Sequence, residues 1–336
     1  AYHKFYMQDL LATYRDALLD DTLPFWLRHA VDKQHGGFIT SLDHDGSIVD
    51  TDKGVWQQCR FTWLLAKLYN TVERRPEWLE AAQHGLRFIE DHCFDPADGR
   101  MWFQLTREGC PLRKRRYAFS ESFAALAYGE VAKATRSNEF ASKAKAAFER
   151  FVSHNLNPAG TEPKFTDTRP TRGIGFPMIT INTAQDLRES IGLETADEWI
   201  DRSIAAIRDY HIHEDLQCVV ETVGLNGEIL HDFDGRTLNP GHAIEGAWFI
   251  MCEGRHRNDQ SLVNLGCQML DWMWRRGWDE EHGGMLYFTS LDGKPIQEYW
   301  HDMKFWWPHN ETIIATLMAY LSTGKSQYRT WHQQVH

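Results

Sequence analysis

A histidine and a glutamate one helical turn apart are the residues of this sequence best suited to proton transfer. His242 follows a proline and a glycine in the segment Asn239-Pro-Gly-His242-Ala-Ile-Glu245. An imidazole exchanges protons near neutral pH, and a neighbouring carboxylate raises its basicity and fixes its tautomer. An isolated His and Glu at this spacing more often form a surface or capping pair. The Asn-Pro-Gly turn before a predicted helix favours the catalytic interpretation, so His242 and Glu245 are candidate catalytic residues.

An arginine on a mostly apolar helix face is the third candidate catalytic residue. Arg60 stands there, one turn after Trp56, and is costly to bury unless it meets a polar cavity or an acid. Contact with a substrate and a salt bridge to Glu245 or Glu311 explain it equally well, and the two can coexist. Indole rings stack against sugar rings, so Trp56 and Trp306 are candidate substrate contacts among the 14 tryptophans.

The first turns of the predicted buried helices supply the remaining candidate substrate-binding residues. Aromatic, amide, imidazole and carboxylate groups in these turns would surround a small polar ligand at one mouth of the fold. These candidates are Phe119, Met178, Asn182, His309 and Glu311.

Three other segments have weaker signals. Residues 319–326 end like a phosphate-binding loop, but an alanine replaces its first glycine and no strand precedes it. His211, His213 and Glu214 look like a metal cluster, yet they lack the spacing of a zinc-binding helix or a cysteine ligand set. We interpret them as a solvated turn and expect no metal site. The basic run 113–116 is interpreted as a solvated loop or the rim of an interface.

A hairpin-like segment recurs along the chain. Each copy begins with a polar turn containing glycine, continues with a short aromatic or β-branched run and ends with a second glycine turn. The copies span 32–46, 95–109, 214–228 and 279–293. A degenerate copy near 155–168 occupies the remaining place, so the segment recurs about every 60 residues.

Two helices follow each hairpin. The first is apolar nearly all round, which predicts burial, and the second has one polar face, which predicts an outer position. Inner helices are predicted at 54–71, 118–135, 174–191, 241–256 and 308–322, and outer helices at 5–30, 77–92, 138–154, 195–210, 258–275 and 326–336. This alternation predicts an all-α (α/α)6 barrel, forming a single domain over residues 1–336. A solenoid of helix pairs is the alternative.

The sequence supplies six outer but only five inner helices, and a closed barrel of this kind needs six of each. We therefore expect the domain to lack its last inner helix, to be incomplete at its C-terminus and to be part of a longer natural protein. The open seam would expose apolar helix flanks, which predicts self-association as a homodimer.

The amino-acid composition and the net charge indicate which kinds of molecule the protein is expected to bind. The chain has 336 residues, is 42% hydrophobic and has a formal net charge of −11. Such an acidic protein is expected to bind neither nucleic acid nor an anionic membrane surface. The six cysteines form no paired motif, and neither a signal peptide nor a membrane span is recognisable. We therefore expect a cytoplasmic protein that binds a small molecule.

Three motifs in the chain resemble the N-acylglucosamine 2-epimerase family. They are Asp50-Thr-Asp-Lys-Gly-Val-Trp56-Gln-Gln-Cys-Arg60, Asn239-Pro-Gly-His242-Ala-Ile-Glu245-Gly-Ala-Trp-Phe and Lys304-Phe-Trp-Trp307-Pro-His309-Asn-Glu311. The match runs from residue 5 to the end, and the second and third motifs point to the branch that acts on N-acyl sugars. The resemblance implies the (α/α)6 barrel fold.

The resemblance also implies interconversion of N-acetyl-D-glucosamine and N-acetyl-D-mannosamine through the ring-opened sugar. A base removes the proton at C2, and an acid returns a proton on the opposite face. His242 matches one of the family's two catalytic histidines, and the second lies on the last inner helix, in the part that this chain lacks. Arg60 and Glu245 match positions that line the site, where Arg60 would stabilise the enolate oxygen.

No cofactor is implied for the chemistry itself, but a nucleotide, ATP, is implied as an effector. Three other functions stay open. An aldose–ketose isomerase or a 2-epimerase of unmodified sugars would use the same barrel, and a chain with one catalytic histidine would also suit an inactive sugar-binding scaffold. A glycoside hydrolase would need two opposed carboxylates, which Glu245 and Glu311 could supply.

Overall fold

The computed structural model describes residues 2–158, 160, 161 and 163–336, which fall into two compact units. Unit 1 comprises Ala1–Glu162 and Glu189–Leu193, and unit 2 comprises Pro163–Arg188 and Glu194–His336. Each unit consists mainly of helices joined by short antiparallel strands, so the predicted all-α class is confirmed. The prediction of one domain over residues 1–336 stays a prediction.

Unit 1 contains two pairs of long helices after an interrupted opening helix. Its helices are α1 (Tyr2–Asp16), a π-helical turn (Ala17–Thr22), α2 (Leu23–His29), α3 (Val55–Thr71), α4 (Pro76–His92), α5 (Phe119–Thr135) and α6 (Asn138–Leu156). Its strands are β1 (Ser41–Leu42), β2 (Ile48–Asp50), β3 (Lys53–Gly54), β4 (Gln104–Leu105) and β5 (Pro111–Arg113). β1 pairs with β2, and β3, β4 and β5 form a second antiparallel sheet. α3 and α5 pack side by side, with α4 against α3 and α6 against α5.

Unit 2 repeats this pairing of helices. Its helices are α7 (Gly175–Ile191, of which 175–188 belong here), α8 (Ala196–Ala206), a π-helical turn (Ile207–His211), α9 (Phe233–Arg236), α10 (Pro240–Arg257), α11 (Gln260–Gly277), α12 (Trp306–Thr323) and α13 (Ser326–Val335). Its strands are β6 (Thr171–Gly173), β7 (Ile212–His213), β8 (Cys218–Val219), β9 (Thr222–Gly224), β10 (Thr237–Leu238) and β11 (Thr289–Ser290). β6 pairs with β9, β7 with β8, and β10 with β11. α10 packs on α12, with α11 against α10 and α13 against α12.

Burial separates the two helix series as the apolar patterns predicted. Residues 124–132 of α5 are all buried, whereas α6 buries one face that includes Phe148 and Phe151. Most predicted helices agree with the observed ones to within two residues. The phosphate-loop-like segment is the end of α12, where Gly324 takes the left-handed conformation with φ of +70°. That segment therefore has a structural explanation as a helix cap.

Four hairpins share one backbone geometry. In each, a β-bridge joins two residues seven positions apart: Val31 with Phe38, Phe94 with Met101, Ile212 with Val219, and Trp278 with Met285. The residue after the second bridge partner donates its N–H to the carbonyl of the residue before the first, at 2.7 to 2.9 Å. Four predicted copies of the repeat therefore form hairpins with the same backbone hydrogen bonds, and the third begins one residue earlier, at 213, than the predicted 214.

The turn of each hairpin places the residue five positions after the first bridge partner in the left-handed region, and in two hairpins the next residue, Gly37 or Gly284, also has a positive φ. Gly36, Gly99 and Gly283 occupy this position in three hairpins, with φ between +69° and +82°. Gln217 occupies it in the hairpin of β7 and β8, with φ of +46°. A side chain in this conformation costs roughly 1–2 kcal/mol, so this hairpin alone tolerates backbone strain where the other three have glycine.

An aspartate in three of the hairpins binds a lysine that stands shortly before the next long helix. We call this contact the Asp–Lys clasp. Lysine Nζ lies 2.9 Å from the carboxylate in the pair Asp32–Lys53, 2.8 Å in Asp95–Lys114 and 2.6 Å in Asp279–Lys304. Since the lysines precede α3, α5 and α12, each clasp fixes a hairpin against the start of a helix.

The first clasp is buried and the last is partly exposed. The side chains of Asp32 and Lys53 are both 0% exposed, and Lys53 Nζ also donates to the carbonyl oxygens of Gly36 and Arg107 at 2.7 Å. Burial alone would raise the pKa of Asp32, but hydrogen bonds from Arg107 and Lys53 hold it well below its usual range. Burial lowers the pKa of Lys53, a change that its contacts with Asp32 oppose.

Two matched substitutions test how much burial matters to the clasp. Lys53→Met should lower the free energy of unfolding by about 3 kcal/mol or more, because it leaves a buried carboxylate with fewer partners. Lys304→Met removes the equivalent lysine from a pair that is 30% and 19% exposed, and should have a much smaller effect. Urea denaturation of both variants would measure the difference. Equal losses would show that burial of the clasp does not matter.

Candidate active site

The start of α10 holds His242 in a fixed position. Asn239 Oδ1 accepts the backbone N–H of His242 at 3.1 Å, and Pro240 occupies the first helical position. Gly241 lets the Trp307 indole approach closely, because a Cβ there would lie only 2.8 Å from two of its ring carbons. A cap, a proline and a glycine in succession therefore set the helix start and leave room for an aromatic wall.

Glu221 is the carboxylate that binds the His242 ring. His242 Nδ1 lies 2.8 Å from Glu221 Oε1, and because a carboxylate can only accept, the hydrogen of this bond is on Nδ1. Among the residues that the structure describes, Nε2 makes no hydrogen bond, and the side chain is 34% exposed. Nε2 is therefore the nitrogen that is free to exchange a proton with a bound molecule.

Three carboxylates make His242 unusually basic. Desolvation alone would lower the pKa of the ring, but Glu221, and after it Glu245 and Glu311, raise it to about 9. Protonated His242 consequently stabilises the folded chain fully below about pH 6.5, and this contribution disappears as the pH rises through the pKa of about 9. At neutral pH the ring is mostly an imidazolium ion.

Two tryptophans complete the surroundings of His242 in unit 2. The Trp307 ring lies 5.3 Å from the His242 ring, centroid to centroid, at a tilt of 41°. Trp248 Nε1, from α10, donates to Glu311 Oε2 on α12 at 2.7 Å. Together, Glu221, His242, Glu245, Trp307 and Glu311 form what we call the His242 site.

The structure assigns several predicted site residues differently from the sequence. Glu245 was expected to orient the imidazole, but that contact is made by Glu221, and Glu245 acts on the ring through its charge. Trp306 was expected to stack against a sugar, but it is 71% exposed, and Trp307 is the indole beside His242. Successive helical residues point about 100° apart, so a shift of one residue changes the face completely.

His309 has a structural role in this chain. Its Nδ1 donates to the carbonyl oxygen of Phe305 at 2.6 Å, and its Nε2 accepts the N–H of Met285 at 2.9 Å. Both ring nitrogens are thus engaged with the backbone, and His309 joins the fourth hairpin to the first turn of α12. Neither nitrogen is free to bind or deprotonate a sugar.

The predicted residues of unit 1 form an aromatic group with one arginine. Trp56 Nε1 donates to Ser120 Oγ at 2.9 Å, and its ring lies 5.2 Å from that of Phe123. The exposed Arg60 stacks on Phe123 at 5.2 Å and makes no ion pair among the described residues. Phe119 is half-buried, and its ring packs against that of Phe151 on α6.

The two predicted residues of α7 differ in accessibility. Met178 is buried and packs beside Gly246 of α10, so it contributes to the core. Asn182 is half-buried, and within the described part of the chain its amide forms no hydrogen bond. Asn182 therefore has free hydrogen-bonding capacity, as a substrate-binding residue would need.

Comparison of the four hairpins gives a signal by which Glu221 could have been found. With the first bridge residue counted as position 0, Glu221 is at position 9, and the other hairpins have Thr40, Phe103 and Tyr287 there. Phe103 contacts Trp56 and Tyr287 contacts Trp307, at ring centroid distances of 5.5 and 5.9 Å. Position 9 therefore lies next to a helix start in the hairpins of Phe103, Glu221 and Tyr287. A charged residue at position 9 would have marked Glu221 as a candidate site residue.

The prediction of a solvated turn is wrong for one of the three metal-like residues of the third hairpin, His211, whereas His213 is half-buried and Glu214 is exposed. His211 is buried, and its Nδ1 donates to the carbonyl oxygen of Val220 at 2.7 Å. That hydrogen bond explains why an imidazole tolerates burial here. No group of three potential metal ligands occurs among the described residues. A search of the same residues likewise finds no helix of the length and apolarity that a membrane crossing requires.

Comparisons with known proteins give the same assignment as the sequence motifs. The family model for N-acylglucosamine 2-epimerase (GlcNAc 2-epimerase) matches residues 37–336. The N-acylglucosamine 2-epimerase of Bos taurus is 35% identical over 334 residues, which cover 94% of this chain and 78% of the relative.

Solved structures of other sugar enzymes share the fold. The cellobiose 2-epimerase of Bacillus thermoamylovorans superposes with a TM-score of 0.82 and 18% identity, over 98% of this chain and 86% of that one. A D-mannose isomerase gives 0.79 and 18%, over 96% and 85%. The predicted α/α-barrel class is therefore confirmed. From the family model and the close relatives, the chain belongs to the N-acylglucosamine 2-epimerase family.

Proposed function

We propose that this chain is a sugar 2-epimerase that interconverts N-acetyl-D-glucosamine and N-acetyl-D-mannosamine, with His242 as a proton-transfer group at C2. Membership of the family supports sugar 2-epimerisation. The observation on which the role of His242 depends is its geometry: Nδ1 is held by Glu221 at 2.8 Å, while Nε2 has no partner among the described residues. An oriented imidazole of this kind is suited to proton abstraction and return.

The chemistry requires the open form of the sugar. With the ring open, C2 lies next to an aldehyde, so breaking the C2–H bond leaves an electron pair that is delocalised onto O1 as an enolate. His242 Nε2 takes the proton and becomes an imidazolium ion, which the three nearby carboxylates stabilise. Return of a proton to the other face of C2 inverts the centre. Inversion therefore needs a second group, and His309 does not qualify because both of its nitrogens are bonded.

Other residues are assigned roles consistent with their chemistry. From the family resemblance, Arg60 is proposed to stabilise the enolate oxygen. Asn182 is proposed as a hydrogen-bonding contact to the sugar, and Trp307 as the aromatic wall beside C2. Glu221 is proposed to orient His242, in the way that a carboxylate orients the histidine of a catalytic triad.

The remaining features of the proposal come from the family resemblance for the cofactor and effector, and from the sequence for the oligomeric state and location. We propose that the chemistry needs no cofactor, that ATP acts as an effector and that the enzyme works as a homodimer in the cytoplasm. Neither nucleic acid nor a membrane is proposed as a partner, in keeping with the net charge of −11.

Aldose–ketose isomerisation is the second candidate, and it is favoured by the observation that, of the candidate histidines His242 and His309, only His242 has a ring nitrogen without a hydrogen bond among the described residues. A single proton-transfer group on one face is sufficient for that reaction, in which C2 loses a proton and C1 gains one. An N-acetylated amino group at C2 prevents formation of a ketose. N-acetylmannosamine and mannose therefore distinguish the two candidates, because only an isomerase would convert mannose to fructose.

The first test is exchange of the C2 hydrogen of N-acetylmannosamine in deuterium oxide, followed by proton NMR. We expect the chain to incorporate deuterium at C2, with N-acetylglucosamine formed wherever a second group protonates the opposite face. His242→Ala should slow the exchange by about 100-fold or more. His282→Ala, which changes a histidine that is 68% exposed on the fourth hairpin, is the matched control and should leave the rate nearly unchanged.

Either of two results would contradict the proposal. One is exchange by His242→Ala at the rate of the unchanged chain, and the other is the absence of any exchange by the unchanged chain. Formation of fructose from mannose, without exchange in the N-acetyl sugar, would favour the second candidate.

A second test uses the pH dependence of this exchange. If neutral His242 is the base, the rate should rise with pH and level off above its pKa of about 9. Glu221→Gln should move the midpoint down by about one unit or more towards the ordinary value of 6.5, because it removes the strongest interaction with the imidazolium. Glu228→Gln, an exposed acid of the same hairpin, is the control and should not move it. An unchanged midpoint in Glu221→Gln would show that Glu221 does not set the basicity of His242.

A further inference from the structure

A buried histidine holds the residue that precedes Glu221. His211, at the end of the π-helical turn, is 1% exposed. Its backbone carbonyl accepts the N–H of Val220 at 2.8 Å, and its ring Nδ1 donates to the Val220 carbonyl oxygen at 2.7 Å. Both backbone groups of Val220 are therefore bonded to one residue.

The protonation state of His211 suits this role. A carbonyl oxygen only accepts, so Nδ1 carries the hydrogen. Burial lowers the pKa of His211, and the bond to Val220 and the charge of Glu221 oppose that change only in part, while His213 and Arg172 add to it. The ring is thus neutral at physiological pH and does not compete with His242 for the charge of Glu221.

The side-chain bond is a special feature of this hairpin. The backbone bond from position 8 to the residue before the bridge occurs in all four hairpins. The residues equivalent to His211 are Ala30, Cys93 and Gly277. Alanine and glycine have no side-chain donor, and a thiol is a weak one. The hairpin with an extra anchor at position 8 is also the one with a charged residue at position 9.

The negative charge of Glu221 explains why a second hydrogen bond to the preceding residue, Val220, is useful. The Glu221 carboxylate is 23% exposed, so solvent competes with His242 for it. The carbonyl of Glu221 is bonded to the N–H of Ile174, but the strand that leads to Glu221, β8, has only two residues, Cys218 and Val219. A short strand resists displacement weakly, and a shift of about 1 Å would disrupt a hydrogen bond of 2.8 Å.

We propose that His211 is a positioning residue for the proposed epimerase: its Nδ1–H fixes the Val220 carbonyl and thereby holds the Glu221 carboxylate against the His242 ring. This inference rests on the proposed role of His242 in proton transfer. His211 does not touch the sugar in this proposal, so its loss should reduce kcat and leave KM nearly unchanged.

The test measures His242 itself by NMR titration of its imidazole in the sugar-free chain. The charged groups facing His242 are Glu221 from the hairpin, Glu245 from α10 and Glu311 from α12, with the Trp307 ring beside them, and none of these residues is substituted in the test. His211→Leu removes the ring donor, and His211→Cys introduces the residue that the second hairpin already has at this position. His211→Asn retains a donor near the position of Nδ1.

We expect the pKa of His242 to fall by about one unit or more in the Leu and Cys variants and to be largely restored in the Asn variant. In the Leu and Cys variants kcat should fall by about tenfold or more, and KM should stay within about twofold of that of the unchanged chain. His332→Leu is the matched control, because His332 is another histidine of unit 2 that is 1% exposed. It should leave the pKa of His242 unchanged.

Two outcomes would overturn the proposal. One is an unchanged pKa of His242 in folded His211→Cys, and the other is a fall of the same size in His332→Leu, which would indicate general loosening. Because the titration needs no sugar, it decides the positioning role even if the exchange test excludes His242 from catalysis.

Discussion

The structure depends on how the first N–H groups of its long helices are satisfied. A helix leaves these donors without partners of its own, and at the starts of two long helices of this chain a hairpin supplies an acceptor. Val55 donates to the carbonyl oxygen of Phe103 at the start of α3, and Ile174 donates to that of Glu221 just before α7, both at 3.0 Å. In both cases the acceptor is at position 9 of a hairpin. The backbone carbonyl of the residue at position 9 therefore binds the chain at the start of a helix. The side chain of the same residue is thereby brought close to a helix start.

In the His242 site, the carboxylates that make the imidazole more basic also reduce the fraction of rings that are neutral and able to accept a proton. Three carboxylates stabilise the imidazolium ion that forms when a proton is abstracted from carbon, which favours the difficult step. The same carboxylates leave only about one ring in a hundred neutral at pH 7, given a pKa of about 9. An anionic enolate and a cationic ring are then created together in one place. The carboxylates around His242 thus stabilise the imidazolium ion that accompanies the enolate, rather than the neutral ring that abstracts the proton.

Much of the fold followed from the sequence, whereas the contacts of the site followed only in part. Helix bounds were predictable because apolar periodicity and turn residues act locally, and His242 stood out because an Asn-Pro-Gly turn precedes it. Glu221 was missed because it lies 21 positions away in the chain and meets His242 only through the hairpin geometry. Trp306 was preferred over Trp307 because their faces on α12 depend on where the helix begins. The structural role of His309 was missed because one of its two backbone partners, Met285, lies 24 positions away in the chain.

The shared hairpin geometry has a consequence for how this molecule can change. All the bonds that define a hairpin are made by its backbone or by its turn, so the side chain at position 9 is not needed to build it. That position holds Thr40, Phe103, Glu221 and Tyr287 in four otherwise equivalent places. A mutation there changes the side chain next to the hairpin without dismantling the scaffold. The residues at position 9 can therefore be replaced, by selection or by a protein engineer, at little structural cost to the hairpins.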